Sequence, residues 1–214
     1  MQILAIHSNK IFFEGTIEEA VPDFYQWLSR ERGLNKEFIK LDSEYDDKKN
    51  TPLLLREIYK LAVYGLSKEE LFAYCGKYNE FYFNKKLYGR LAKIREMMEI
   101  LILTSYPSEL FEHLISNGSA DKIFGAEGKF NNEGDIFDLK EIELKFPEEV
   151  IEKMKKIGFG FEFTLEPDRY GLLELLIDYM LEIGADKNNV TVIGKNTASM
   201  PFSRVSGKQL DSLP

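Results

Sequence analysis

Short apolar runs that stop abruptly are what most constrains this chain. Met1–Ile6 (MQILAI), Glu99–Thr104 (EILILT) and Val190–Ile193 (VTVI) are rich in aliphatic and β-branched residues. Each gives way at once to a polar side chain or a glycine: His7, Ser105 and Gly194. Runs of this kind read as buried strands. Segments with helical periodicity separate them, and alternating strand and helix patterns point to an α/β fold with a parallel sheet. Ligand sites in open α/β sheets lie at the carboxyl ends of the strands. Chemistry is therefore expected in the residues that follow each run, namely His7-Ser8-Asn9-Lys10, Thr104-Ser105 and Gly194-Lys195-Asn196.

Between the first run and Glu99 the sequence is almost wholly helical in pattern. Ile17 to Arg32 carries apolar residues at Ala20, Val21, Phe24, Trp27 and Leu28, with Pro22 near the first turn. Asp42 to Asn50 reads as a solvated connection. Pro52 to Tyr64 and Ser67 to Tyr74 read as helices, the second opened by a capping box of Ser67 and Glu70, and Phe81 to Met98 as a last helix. The region is rich in aromatics, among them Tyr25, Tyr59, Phe72, Tyr74, Tyr78, Phe81 and Tyr82, which either pack the small helical core or stack on a ligand. Farther on, Asn117-Gly118 stops a helix and Asp121–Gly125 reads as a third parallel strand. Glu127 to Glu143 reads as a hairpin, Pro147 to Ile157 as a charged helix, Phe159 to Thr164 as a strand and Leu172 to Ile183 as a helix buried against the sheet. Met200-Pro-Phe-Ser-Arg-Val-Ser-Gly207 has the pattern of a short helix closed by glycine.

Composition narrows the partners. With 214 residues, 44% hydrophobic and 30% charged, the chain has the balance of a globular protein. A net charge of −8 argues against general affinity for nucleic acid or an anionic membrane, both of which need a cationic surface. The single cysteine, Cys75, excludes an internal disulfide and makes a cysteine-based zinc site implausible. No apolar run approaches a membrane span and Met1 leads straight into a strand, so a cytoplasmic location is the expectation. Gly194-Lys195 is not a phosphate-binding P-loop, because Asn189 stands at its first glycine position and Asn196 follows the lysine. No Gly-x-Gly-x-x-Gly fingerprint follows any strand.

The run from Val190 to Gly207 resembles, without a gap, the last motif of the haloacid dehalogenase superfamily, in its phosphoserine phosphatase-like branch. That motif is usually strand-Gly-Asp-x-x-x-Asp-x-Pro-Met-x-x-x followed by Ala or Ser and then glycine. Gly194, Pro201, Val205 and Gly207 match, while the two acidic positions are Lys195 and Ser199. At the amino terminus the family keeps Asp-x-Asp-x-Thr, and the resemblance places His7, Asn9 and Ile11 on those three positions. Thr104 stands where the family keeps a hydroxyl that hydrogen-bonds the phosphoryl group. Ser105-Tyr106-Pro107-Ser108 would then open a helix through Leu110, Phe111, Leu114 and Ile115, with free N–H groups suited to an anion. The family lysine at the start of the helix before the last strand falls in Asp168-Arg169-Tyr170-Gly171, with Arg169 as the matching cation. After Gly207 the family usually adds a strand, for which Lys208–Pro214 is too short and polar.

The resemblance implies a haloacid dehalogenase-like (Rossmannoid) parallel sheet with helices on both faces. It also implies a core domain of residues 1–14 and 81–214 and a helical cap of residues 15–80 inserted after the first strand. All four customary acidic positions are replaced, so the implied magnesium site is lost and no cofactor is expected. The implied ligand set is His7, Ser8, Asn9, Thr104, Ser105, Arg169, Lys195, Asn196 and Ser199. If Lys195 and Arg169 enter the cleft, it carries about +2 without metal and attracts an anion. Alternatively, Lys195 reaches solvent or pairs with Asp168. His7 occupies the nucleophile position, yet lacks a metal or second acid beside it, and a lone histidine at a strand end is usually a hydrogen-bonded structural residue. His113, on the helix after Thr104, reads as exposed.

Three functions follow from this set. The first is a phosphoserine phosphatase-like pseudoenzyme binding a phosphorylated small molecule, an inorganic anion or a protein partner. The second is a divergent, metal-independent phosphohydrolase using His7, Thr104 and Lys195. The third is a purely structural or oligomerising protein, a homodimer for example.

Overall fold

A computed structural model of the chain describes residues 2–6, 9–14, 20–48, 52–140, 147–159, 170–193 and 203–205. The three apolar runs form the centre of a sheet. Strand β1 (Ile3–Ile6) lies between β2 (Glu99–Pro107) and β5 (Val190–Ile193) and is parallel to both. β3 (Lys122–Phe130) lies beside β2, and β6 (Ser203–Val205) pairs in parallel with β5, giving the order β3-β2-β1-β5-β6. The four strands expected from sequence are thus neighbours in one mostly parallel sheet. All four side chains of β1 are fully buried, because this strand has ladder bonds on both edges and helices on both faces. Burial on both faces is why its sequence shows no alternation. Ile3, Leu4 and Ile6 each contribute roughly 2 kcal/mol by that burial.

Successive side chains point to opposite faces, so each face has its own core. Ile3, Ala5, Leu101, Leu103, Val190 and Val192 pack with Val150 and Met154 of α8 (Pro147–Lys156) and with Leu176, Ile177 and Met180 of α9 (Tyr170–Glu182). Leu4, Ile6, Ile100 and Ile102 are equally buried and point to the other face. There α6 (Leu87–Arg95) packs on β2 and contributes buried Leu87, Leu91 and Ile94.

By backbone contacts the chain divides into two compact units, Met1–Phe12 with Asn84–Gly125 and Ile142–Pro214, and Phe13–Phe83 with Ala126–Glu141. The second unit contains α2 (Phe24–Glu31), α3 (Asn35–Lys48), α4 (Pro52–Val63) and α5 (Lys68–Tyr82). It also holds the hairpin in which the end of β3 pairs antiparallel with β4 (Ile136–Lys140). Ile136 is buried there and exchanges backbone bonds with Gly65 and Leu66. Tyr78 centres the aromatic core, with edge contacts to Phe13, Phe24 and Trp27 at 5.1–5.2 Å and its hydroxyl donating to Pro22 O at 2.7 Å. Tyr25 stacks on Tyr59 at 4.1 Å. These rings pack the helices, which is the simpler of the two readings drawn from the sequence.

Local chemistry explains where helices begin. Ser67 Oγ accepts from Glu70 N at 3.2 Å while Ser67 N donates to Glu70 Oε2 at 2.9 Å, the expected capping box. Asp23 caps α2 by accepting from Tyr25 N at 2.9 Å, so the helix starts at Phe24 and Pro22 precedes it instead of sitting in its first turn. Other boundaries also differ from the sequence reading. Residues expected to form a solvated connection from Asp42 continue α3 to Lys48, because charged side chains are as well solvated on a helix as in a loop. The long helix expected over Phe81–Met98 is broken at Phe83-Asn84, where Phe83 bridges Phe13 and Asn84 N donates to Phe12 O at 2.8 Å. Ser203–Val205, expected within a short helix, is strand β6, since the free edge of β5 satisfies its backbone. Of the strand expected at Phe159–Thr164, only Phe159 is among the described residues, and it lies outside any strand.

Two features of the first unit generate predictions. Lys153 on α8 bonds Glu174 Oε1 at 2.7 Å and Asp178 Oδ1 at 2.6 Å, both on α9, and the Glu174 side chain is only 7% exposed. Burial acts to lower the Lys153 pKa, but the hydrogen bonds from Asp178 and Glu174 outweigh it and raise the pKa. Lys153→Met should therefore cost about 3 kcal/mol by stranding a buried carboxylate, whereas Lys153→Met with Glu174→Leu should recover most of that loss. Urea denaturation of the two variants checks the difference. At Gly125 an added Cβ would lie 2.9 Å from both Ser108 N and Tyr106 O. Gly125→Ala should thus lower stability by about 1–3 kcal/mol, read from the same denaturation curves.

Candidate functional site

The register of the central strands defines one edge. Ile6, the last residue of β1, pairs with Ile102 on one side and Ile193 on the other. The carboxyl ends of β1 and β5 are therefore level, and β2 runs on past them. His7 and Gly194 follow next in sequence. Residues His7, Ser8, Arg169, Lys195, Asn196 and Ser199 lie outside the described residues. Asn9 opens α1 (Asn9–Phe12), three positions beyond Ile6. Thr104 stands two positions beyond Ile102, in the part of β2 that outruns β1.

Thr104 is 2% exposed, and its Oγ1 accepts from Tyr106 N at 3.0 Å. That bond occupies one oxygen lone pair. Ser105 is half-buried. The helix expected to open at Ser105–Ser108 does not form there. β2 continues through Pro107, a 3₁₀ turn follows at Ser108–Leu110, and α7 spans only Glu112–Ser116. The cause is nonlocal: the bare backbone of Gly125 in β3 lies against Tyr106 and Ser108 and holds this stretch extended. A five-residue helix begun this late offers no anion site at its amino end, so the expected contribution of free N–H groups is withdrawn.

A third segment is oriented toward the same edge. Tyr179 OH donates to Glu99 Oε1, joining the last turns of α9 to the amino end of β2. Burial first, and then Glu99, push the Tyr179 hydroxyl up to about 12. Lys122 Nζ sits 4.3 Å over the Tyr179 ring. With its carboxyl-terminal half fixed at the amino edge, α9 runs back from Tyr179 to Tyr170 over about 14 Å of helical rise. Its first residue, which Arg169 directly precedes, therefore points toward the carboxyl edge.

The sequence reading missed an aromatic tie between two of these segments. Phe12, at the end of α1, and Phe111, directly after the 3₁₀ turn, are buried and meet edge-on with centroids 5.0 Å apart. Phe12 belongs to no periodic run, and Phe111 was placed on the apolar face of an expected helix, so pattern alone did not pair them; both are large apolar residues shortly after a strand end. His113 is half-buried, not exposed as expected, with its ring edge-on to Tyr88 at 5.7 Å. Among the described residues no three His, Cys, Asp or Glu side chains converge as a metal site, and no helix is long and apolar enough to cross a membrane.

No protein-family model and no curated protein sequence matches the chain. Solved structures do match. A haloacid dehalogenase family hydrolase from Salmonella enterica serovar Typhi aligns with a TM-score of 0.61 at 12% identity, over 90% of this chain and 55% of that one. A phosphoserine phosphatase in a substrate-bound complex aligns with a TM-score of 0.59 at 13% identity, over 96% and 85%. A probable phosphoserine phosphatase from Vibrio cholerae, unliganded, gives 0.61 at 11%, over 95% and 55%. The chain thus spans about half the length of two of these proteins. At such identities the likeness is one of fold, and the fold is haloacid dehalogenase-like.

His113 generates a pH prediction. Burial lowers its pKa from the ordinary 6.5, partly opposed by a backbone hydrogen bond at Leu110. The folded state therefore binds this proton less readily than the unfolded state does. The resulting stability is present above about pH 6.5 and is lost as pH falls through the unfolded value toward the lower folded one. His113→Gln should flatten the decline in melting temperature between about pH 7 and 5, measured by circular dichroism.

Proposed function

We propose that this chain is a phosphoserine phosphatase-like protein that binds a phosphorylated small molecule or another anion at the carboxyl edge of its sheet and does not perform magnesium-dependent phosphoryl transfer. One observation supports the reading: Ile6, Ile102 and Ile193 are in register, so β1 and β5 end level at one edge, with Thr104 in the part of β2 that runs past it and positions 7 and 195 following in sequence. Such an edge is where open α/β sheets bind ligands.

The side chains at that edge decide the chemistry. A phosphate dianion beside several carboxylates needs a metal ion to balance charge, and magnesium wants hard oxygen ligands in a tight octahedron. Positions 7, 9, 195 and 199 are His, Asn, Lys and Ser and supply no carboxylate. Lys195 and Arg169 then provide about +2, enough to hold a dianion without an ion between. Thr104 stands where the resemblance puts a hydroxyl beside the anion. With no carboxylate to serve as nucleophile or general acid, the bound phosphoester persists.

Thermal melts in phosphate test the reading. Without metal, phosphate at about ten times its Kd should raise Tm by roughly 3–5 °C. Lys195→Ala should abolish the shift, whereas Lys156→Ala, on the exposed side of α8, should leave it. Magnesium at millimolar concentration should neither stabilise the chain nor support hydrolysis of phosphoserine. Hydrolysis that persists in chelator and disappears in His7→Ala would establish the metal-independent phosphohydrolase instead. A wild type indifferent to phosphate would leave the oligomerising protein.

A further inference from the structure

We infer that the Phe12–Phe111 pair is a positioning device: it couples the segment following β1 to the segment following β2, and so sets the affinity of the anion site. The second half of this inference rests on the function proposed above. The first rests on geometry alone.

After Ile6 the chain passes positions 7 and 8 and turns through the single helical turn of α1, which ends at Phe12. After Thr104 it completes β2, makes the 3₁₀ turn of Ser108–Leu110 and reaches Phe111. Both segments thus leave the same edge of the sheet and meet again within a few residues. The rings meet at 5.0 Å and 65°, edge to face, with Phe12 1% and Phe111 0% exposed. Such pairs contribute beyond the area they bury, and only in a narrow range of orientations. A second restraint fixes Phe12 from behind, since its carbonyl accepts from Asn84 N at 2.8 Å. Phe111 is fixed in turn, as its N–H donates to Ser108 O at 3.0 Å and its carbonyl accepts from Leu114 N at 2.8 Å. Each ring is therefore carried on backbone that cannot swing independently, so moving one segment must displace the other.

The consequence concerns the site. α1 has only four residues, too few to hold its own shape in water. Its position, and that of Asn9 at its start, depends on the tertiary anchor at Phe12. Thr104 lies seven positions before the other ring. A donor displaced by a fraction of an ångström from a small anion loses much of its interaction, so the pair governs how closely the two segments converge on a ligand.

The full-length protein tests this with two independent readouts. Amide hydrogen exchange of Phe111→Leu should show faster exchange across Asn9–Glu14, and that of Phe12→Leu faster exchange across Thr104–Leu110, each substitution acting on the other segment. Met154→Ala, in the α8 and α9 core that contains neither ring, serves as a destabilised control and should do neither. If each variant perturbs only its own segment, or the control perturbs both equally, the coupling is refuted. For the second readout, phosphate affinity is titrated calorimetrically well below Tm, where all variants are folded. Phe111→Leu should weaken it by roughly fivefold or more while Met154→Ala leaves it unchanged; equal affinities would overturn the positioning role. Should Phe111→Leu fail to fold, Phe12→Leu takes its place in the titration. Reciprocal exchange effects in a protein that ignores phosphate would instead keep the coupling and remove the functional reading.

Discussion

A four-residue strand hydrogen-bonded on both edges organises the first unit. β1 has no free edge and no exposed face: Ile3 to Ile6 pair with Glu99 to Ile102 on one side and Val190 to Ile193 on the other. Parallel pairing on both sides has a topological cost. Each connection must return from the carboxyl edge to the amino edge, and the crossovers must cover the faces. That requirement is met on one face by α8 and α9, which pack over Ile3 and Ala5. That the described ends of β1 and β5 are level at one edge is therefore a property of the ladder.

What was legible in the sequence is what the backbone decides locally. β1, the start of β2 and β5 were readable because burial on both faces demands uninterrupted apolar residues, and few other environments do. The Ser67 capping box was readable because both of its partners lie within one turn. The misread stretches share the opposite property. Ser105–Ser108 has the composition of a helix start, yet Gly125, far along the chain, allows β3 to lie close enough to keep it extended. Ser203–Val205 is a strand because β5 offers an open edge. The helix expected across Phe83 breaks because Phe13 pairs there. Asp42–Lys48 failed for a different reason, since a charged run records solvation and says nothing about backbone conformation.

The candidate site divides along the same line. Thr104 was located from its place at the end of an apolar run, and its burial and its bond from Tyr106 N fit a hydroxyl held in fixed orientation. The Phe12–Phe111 contact was not legible, because pairing between two isolated aromatics is known only once the strands ahead of them are aligned. His113 was misjudged on similar grounds: its helix is too short for periodicity to say which side faces Tyr88.

This separation bears on how such an edge can change its chemistry. The ladder fixes Ile6 and Ile193, so residues beyond them in sequence can be exchanged without altering the strands. A cluster of carboxylates at one edge is self-repelling and is tolerated only with a cation among them. On the proposed reading, His, Asn, Lys and Ser at positions 7, 9, 195 and 199 remove both the repulsion and the need for that cation, and Lys195 supplies the charge covalently. Affinity for an anion can then outlast the loss of catalysis, because binding asks for positive charge and a donor at the right distance, whereas phosphoryl transfer also asks for a nucleophile and an acid whose pKa values differ.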